Sequence, residues 1–356
     1  MKIALITGTR PQIIKASAII KEAKKRSIDI RIIQTGQHYD YEMHQIFLEE
    51  LEMPTDYVNL SVGSGSYCWQ IATIMTRLEK VLLEQKIDFA LVLGDTNSTL
   101  AGALSSSILK IPLAHVEAGA RSYDMTMPEE VNRRLTDHVS TLLLAPTKNC
   151  VKNLLKENIP KESIYLVGDV MYDVLLSNMS MIKQNHILDD LNLEKKDYVV
   201  LTMHRPHNLT LDKLRSVADS IRRSKILTIF PVHPRTAKEM QEARLESPKN
   251  LVTIKPLGYH EMMKLVSNAR FVMTDSGGLQ KEAFWLKVPC LTLRANTEWM
   301  ETVELGANEL VGEDFNALAS RMNERLNRRY VTKSKTNPFG DGKASKRIIE
   351  VICSHA

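Results

Sequence analysis

"FALVLGDTNSTLAG", residues 89–102, starts as five consecutive apolar residues and passes through one glycine into an acid, three hydroxyl side chains and an amide. A continuously apolar run has no polar face to turn to water, so it fits a strand covered on both sides, as in a parallel sheet wrapped by helices. The polar residues then lie at the strand's carboxyl end, where a helix opens. Asp95 at that mouth is either the cap of the helix or a carboxylate placed there for chemistry.

The pattern recurs along the chain. "KIALIT", "IRIIQT", "PLAHVE" and "TLLLAPT" accompany it in the first half, and "YVVLTM", "ILTIFPV", "NLVTIK", "RFVMTD" and "CLTLRA" follow in the second, each separated from the next by an amphipathic stretch. Apolar strands alternating with helices predict an α/β protein. At 356 residues the chain exceeds what one core organises, and domains of roughly 150–200 residues are the natural division. The charged, strandless segment that follows "LVGDVMYD" predicts a crossover, so the expected domains are residues 1–170 and 171–339. The closing "NPFGDGKASKRIIEVI" predicts a turn and then a helix over 340–356, which has no further unit to build and packs back on the first domain.

Hydrophobic residues make up 44% and charged residues 25% of the chain, the balance of a globular fold. The formal net charge of +5 arises from 47 basic and 42 acidic residues spread along the length, which argues against a nucleic-acid track. Cys68, Cys150, Cys290 and Cys353 lie far apart with no CxxC, which predicts neither a zinc site nor a disulfide framework and fits a reducing cytoplasm. "MKIALITGTRPQ" is too briefly apolar for a secretion signal, and no run of about 18 apolar residues predicts a membrane span.

In open α/β sheets ligands bind beyond the carboxyl ends of the strands. "TGTRP" after the first strand, with Arg10 and Lys15, suits a phosphate or diphosphate, although neither a GxGxxG nor a P-loop is present. "VMTDSGGLQKEA" is a stronger sign: Ser276, Gly277 and Gly278 open a helix whose N–H groups and dipole favour an anion, and Glu282 one turn later suits the two hydroxyls of a ribose. His233 in "FPVHPR" is a further candidate phosphate partner. Asp95, Glu117, Glu129 in "MPEEVNRRLTDH", and His204 all follow strands. Taken singly a strand-end carboxylate is commonly a cap, but three acids and a histidine together are what removing and returning a proton requires.

"GTRPQIIK", "GQHYDYEM", "GDTNSTLAG", "HVEAGARS", "MPEEVNRRLTDH", "APT", "VGDVMYD", "MHRPHN", "TDSGGLQKEA", "TEWMETVELGANELVG" and "NPFGDGKAS" together resemble the non-hydrolysing UDP-N-acetylglucosamine 2-epimerases, in the family's order and over nearly the whole chain. The resemblance implies two Rossmann-like domains facing a cleft, as in glycosyltransferases of the B type. It also implies a UDP-sugar as small-molecule partner, no cofactor, no metal and a homodimer. In the mechanism the resemblance implies, UDP leaves carbon 1 as the carbon 2 proton is removed, giving a 2-acetamidoglucal, and then adds back with protonation of carbon 2 on the opposite face. Carried over by motif, Asp95, Glu117 and Glu129 are the acid/base carboxylates and His204 assists UDP departure. Arg10, Lys15, His233, Ser276, Gly277, Gly278 and Glu282 are UDP contacts, and Leu257 and Met262 stand where the family holds uracil.

Departures from the pattern bear on the substrate. "HRPHN" puts His207 where many members carry glutamate, and "TEWME" puts Trp299 where many carry arginine. The tryptophan, with "RPQ" and "VGDVMYD", also resembles the branch acting on UDP-2,3-diacetamido-2,3-dideoxyglucuronate. Trp69 replaces a basic residue found in members activated by their own substrate, which predicts weak activation or none. A glycosyltransferase of the same architecture, an epimerase that releases UDP and a non-catalytic nucleotide-sugar sensor are the rival readings, and the full carboxylate set argues against the first and the last.

Overall fold

The apolar runs form parallel strands in two compact units, Met1–Ser177 with Asn337–Ala356, and Asn178–Thr336. The computed structural model describes residues 1–36, 41–232, 234–242, 246–312, 314–327 and 336–355. Among these, the first unit holds seven strands: β1 (Lys2–Thr7), β2 (Asp29–Gln34), β3 (Tyr57–Asn59), β4 (Phe89–Leu93), β5 (Leu113–Val116), β6 (Leu142–Ala145) and β7 (Ile164–Leu166). Their order across the sheet is β3-β2-β1-β4-β5-β6-β7. The second unit holds β8 (Tyr198–Thr202), β9 (Leu227–Pro231), β10 (Leu251–Ile254), β11 (Val272–Thr274), β12 (Cys290–Thr292) and β13 (Asn308–Leu310), in the order β10-β9-β8-β11-β12-β13.

Both sheets are doubly wound, as the alternating pattern predicts. In each, the winding reverses beside the first strand, between β1 and β4 and between β8 and β11. Connections run away from that seam on both sides and leave a crevice at the strands' carboxyl ends. The central strands supply the cores: Ile6, Ala90 and Val92 pack with Ile74 and Leu78 in the first unit. Val199, Phe271, Met273 and Leu291 pack with Ile221 in the second. Burying each large apolar side chain contributes about 1.5–3 kcal/mol, which makes the sheets rigid platforms for the loops at their ends.

The helices start where local chemistry predicts. Arg10–Lys25 follows Thr9 as N-cap, has Pro11 in its first turn and closes on Lys24 and Lys25, complementing the helix dipole. Pro128–Val139 likewise begins with proline and two glutamates and carries His138 in its last turn.

The units divide at Ser177/Asn178 and Thr336/Asn337, a few residues from the expected 170 and 339. One helix, Val170–Gln184, runs through the first division. Its opening residues belong to the first unit because Asp173 accepts bonds from Ala344 N (3.0 Å), Ser345 N (2.7 Å) and Ser345 Oγ (2.7 Å), capping the final helix, Ala344–Cys353. That helix packs against Arg10–Lys25, with Arg26 bonded to Glu350 at 2.9 Å.

Candidate active site

In the first unit, the chain leaves β1 through Gly8, where an added Cβ would lie 1.9 Å from Ser98 Oγ and 2.4 Å from Thr35 Oγ1. Gln12 ties this turn to the next strand: its Oε1 accepts from Gly8 N (2.8 Å) and its Nε2 donates to Leu93 O (2.7 Å). Arg10 stacks over the Phe47 ring at 5.6 Å. The loops after β1 and β4, on either side of the seam, are therefore one bonded assembly.

Asp95 is not the cap of the helix behind it. Thr96 is, its side chain accepting from Thr99 N at 3.4 Å. The Asp95 carboxylate, 29% exposed, instead pairs with Arg133 of Pro128–Val139, and Asn132 donates to the Asp95 carbonyl at 2.9 Å. Glu117 follows β5 with a φ of +75°, a conformation that costs a side-chain-bearing residue on the order of 1–3 kcal/mol. Such strain at a strand end marks a residue whose direction matters. Its carboxylate pairs with Lys15. A Cβ on Gly94 would lie 3.2 Å from Lys15 Nζ, so this pair abuts the turn carrying Asp95.

The adjacent glutamates of "PEE" have opposite fates. Glu130 is fully buried and accepts from Ser122 N (2.8 Å), Ser122 Oγ (3.0 Å) and Tyr123 N (3.2 Å). Glu129 is half-buried and forms no hydrogen bond or ion pair among the described residues, so its carboxylate is available. Glu130 builds the loop, and Glu129 stands beside it.

In the second unit, His204 follows β8 and Asp275 follows β11, the strands flanking the seam. His204 Nδ1 donates to Asp275 Oδ1 at 2.9 Å while the histidine side chain is 53% exposed. Asp275 is fully buried and also accepts from His204 N (3.0 Å), Arg205 N (2.9 Å) and Asn208 Nδ2 (3.2 Å). Burial disfavours its charge, but the His204 charge and hydrogen bond and the backbone donors more than offset this, holding the carboxyl at about 2. The imidazole is thereby fixed with Nδ1 inward and Nε2 outward.

Next to this dyad Ser276 caps the helix Gly277–Trp285. Around Gly278 a Cβ would meet only Ser276 Oγ, at 3.9 Å, so the N–H groups of this turn are approachable. Glu282, 6% exposed, faces Tyr259, whose hydroxyl is pushed well up by burial and by the Glu282 charge. Trp299 is 3% exposed and its ring lies 3.7 Å from Lys281 Nζ. Its indole nitrogen sits 3.3 Å from where a Cβ on Gly277 would be. Arg294 forms a two-pronged pair with Glu298 at 2.9 and 3.0 Å. Burial and the charges of Arg205 and Lys213 lower the His207 imidazole.

Each seam thus carries polar chemistry at its carboxyl end, acids in one unit and a histidine with an anion-suited helix start in the other. The sequence profile described as UDP-N-acetylglucosamine 2-epimerase matches residues 21–353. The chain belongs to the UDP-N-acetylglucosamine 2-epimerase family. Members of this family are isomerases. A Methanococcus maripaludis protein described as a UDP-N-acetylglucosamine 2-epimerase homolog is 47% identical over 367 residues, covering 99% of both chains. The Pseudomonas aeruginosa UDP-2,3-diacetamido-2,3-dideoxy-D-glucuronate 2-epimerase is 38% identical over 361 residues, again covering 99% of both. The crystal structure of the Methanocaldococcus jannaschii epimerase in complex with UDP-GlcNAc and UDP superposes with a TM-score of 0.94 at 44% identity, covering 99% of this chain and 100% of that one.

For this family member, the residues singled out from sequence divide by unit. Arg10, Lys15, Asp95, Glu117 and Glu129 lie in the first, where ion pairs and shared turns draw Lys15, Asp95 and Glu117 together. His204, Ser276, Gly277, Gly278 and Glu282 lie in the second. Leu257 and Met262, both half-buried, flank the start of helix Tyr259–Asn268 in that unit. His233 lies outside the described residues. Sequence reasoning did not single out Asp275, although "TDSGG" contains it; a buried acid in a turn motif looks like any turn acid until its partner is seen. Among the described residues no three His, Cys, Asp or Glu side chains are grouped to hold a metal ion, and no helix is long and apolar enough to cross a membrane.

Proposed function

We propose that this protein is a non-hydrolysing epimerase that interconverts UDP-N-acetylglucosamine and UDP-N-acetylmannosamine by eliminating UDP and adding it back. What carries this is the set of carboxylates Asp95, Glu117 and Glu129 in the first unit and, within the second, an exposed His204 oriented by buried Asp275. The carbon 2 proton has no adjacent carbonyl to acidify it, so inversion needs the carbon 1–oxygen bond to break as the proton leaves. Asp95, Glu117 and Glu129 take that proton and return one on the opposite face. The Arg133 and Lys15 cations hold the first two in place. His204, oriented by Asp275, supports the departing diphosphate oxygen through Nε2.

Arg10, Ser276, Gly277, Gly278, His233 and Glu282 are assigned to UDP, with Leu257 and Met262 against uracil. Lys15 shares the anionic neighbourhood but works first on Glu117. The chemistry needs no redox cofactor, and the reading goes with a cytoplasmic homodimer. The test is proton NMR of the protein with UDP-N-acetylglucosamine in heavy water. Deuterium at carbon 2 of the recovered UDP-sugars, with no free UDP accumulating, supports the proposal. No exchange, or UDP release in step with turnover, sinks it.

UDP-2,3-diacetamido-2,3-dideoxyglucuronate is the second reading. Trp299, seated against Gly277 and Lys281 where many family members carry arginine, and the Pseudomonas aeruginosa relative favour it. Parallel assays with both sugars separate the two by kcat/KM.

A further inference from the structure

Helix Pro128–Val139 carries Glu129, Arg133 and Asp137 at intervals of four residues, so all three lie along one stripe. Arg133 meets Asp95, as described. Asp137, at the inner end of the stripe, is wholly enclosed. Its Oδ1 takes the Nδ1 proton of His115 on β5 at 2.7 Å, with both side chains at 0% exposure. Its Oδ2 accepts from Gly119 N at 3.1 Å and from Arg121 at 2.7 Å. On the far side of the imidazole, His115 Nε2 lies 2.8 Å from Gly94 O. A peptide carbonyl only accepts, so Nε2 donates, and the ring is a donor on both sides.

The ends of this chain of bonds are the two turns that matter for the reaction. Gly94 immediately precedes Asp95. Gly119 closes the turn that begins at strained Glu117, and it has no room to shift: a Cβ there would sit 2.4 Å from Cys150 O. His115 thus connects the Asp95 turn to Asp137, and Asp137 connects that same helix to the Glu117 turn.

We propose that His115 and Asp137 form a register pin, which sets how far helix Pro128–Val139 stands along the sheet and so positions Asp95, Glu117 and Glu129 together. They are positioning residues and touch no substrate. A slip of one residue would move the helix by about 1.5 Å and turn it by about 100°, taking Arg133 off Asp95 and redirecting Glu129. A purely apolar interface would tolerate smaller slides, whereas a buried charged bond with fixed directions does not. Buried ion pairs are poor stabilisers compared with well-packed apolar residues, so specifying an arrangement is the better reason for one here. Burial disfavours the Asp137 charge, and the His115 and Arg121 charges more than offset it, keeping the carboxyl below its ordinary range.

The inference rests on the reading of Asp95, Glu117 and Glu129 as the proton-transferring groups. The experiment measures kcat and KM for UDP-N-acetylglucosamine, UDP affinity by calorimetry and thermal unfolding in the full chain carrying His115→Gln, His115→Asn or Asp137→Asn. The first keeps a donor near Gly94, the second keeps one near Asp137, and neither keeps the bridge. Expected in each folded variant is a kcat lower by on the order of 10²-fold, with KM and the UDP Kd within about threefold of the parent, since displacements near 1 Å cost about that much. A folded variant with parental kcat, or one whose kcat falls only as its folded fraction falls, overturns the proposal.

Asp95→Asn and Glu117→Gln, assayed alongside, separate the two levels. Parental turnover in those two refutes the carboxylate assignment itself; impaired turnover in them beside parental turnover in the His115 variants refutes only the pin. Should none of the three variants fold, the unaltered protein decides through NMR of ¹⁵N-labelled histidines. A ring with both N–H protons slow to exchange supports the pin, and the lack of any such ring overturns it.

Discussion

Replacing Asp275 with asparagine removes one charge from the dyad while keeping its shape. In the folded protein this carboxyl sits at about 2, against an ordinary 3.8, because the His204 charge, its ring N–H and the backbone donors outweigh the cost of burial. That difference corresponds to about 2 kcal/mol. Since the folded value lies below the unfolded one, the stabilisation is fully present above about pH 4 and is lost as the pH falls toward about 2. Asp275→Asn should therefore lower the unfolding free energy by about 2 kcal/mol at pH 7, measured by urea titration. It should also flatten the decline in stability between about pH 4 and pH 2. On activity the consequence is larger, because an amide that turns its NH2 toward His204 Nδ1 favours the wrong tautomer. We expect kcat to fall by roughly 10²–10⁴-fold, the usual worth of a positioned acid or base, with the UDP Kd little changed. Parental kcat together with a parental urea midpoint at pH 7 would refute the reasoning at both levels.

Asp95→Asn and Glu117→Gln should each lower kcat by at least about 10²-fold while calorimetry finds UDP affinity nearly intact. Lys15→Met should act on kcat because its cation serves Glu117; a UDP Kd weakened several-fold with intact kcat would return Lys15 to the diphosphate. Trp299→Arg sets a guanidinium against buried Lys281 in place of an aromatic face. The expected loss is about 2 kcal/mol in chemical unfolding, partly recovered by adding Lys281→Glu. Gly119→Ala combines a φ of +80° with a Cβ 2.4 Å from a backbone oxygen. It should cost more than about 2 kcal/mol, and a cooperative unfolding curve matching the parent's would contradict that.

The long central strands were legible because continuous apolar runs such as "FALVL" and "YVVLT" have no amphipathic alternative. The short strands β3 (Tyr57–Asn59), β7 (Ile164–Leu166) and β13 (Asn308–Leu310) were not. Each has three residues and lies at a sheet edge, so it is fixed by the neighbour it pairs with and leaves little pattern of its own. The division expected after residue 170 falls at Ser177/Asn178. Helix Val170–Gln184 has no break where the units part, and Asp173 in its first turn is tied to Ala344, 171 residues further along the chain.

Residue types and their order along the chain determined the doubly wound class, the strand-end position of Asp95, Glu117 and His204, and the anion-suited start at Ser276. Those follow from side-chain hydrophobicity and from backbone rules that act over a few residues. The tertiary structure decided which side chains face which. It gave the cap to Thr96 and paired Asp95 with Arg133, separated Glu129 from Glu130, brought Lys15 to Glu117, and joined Asp275 to His204 and Asp137 to His115. A local pattern reports how a residue sits relative to its neighbours in sequence. The partners that give an ionisable group its direction and its charge come from strands and helices tens of residues away, and only folding brings them within hydrogen-bond reach.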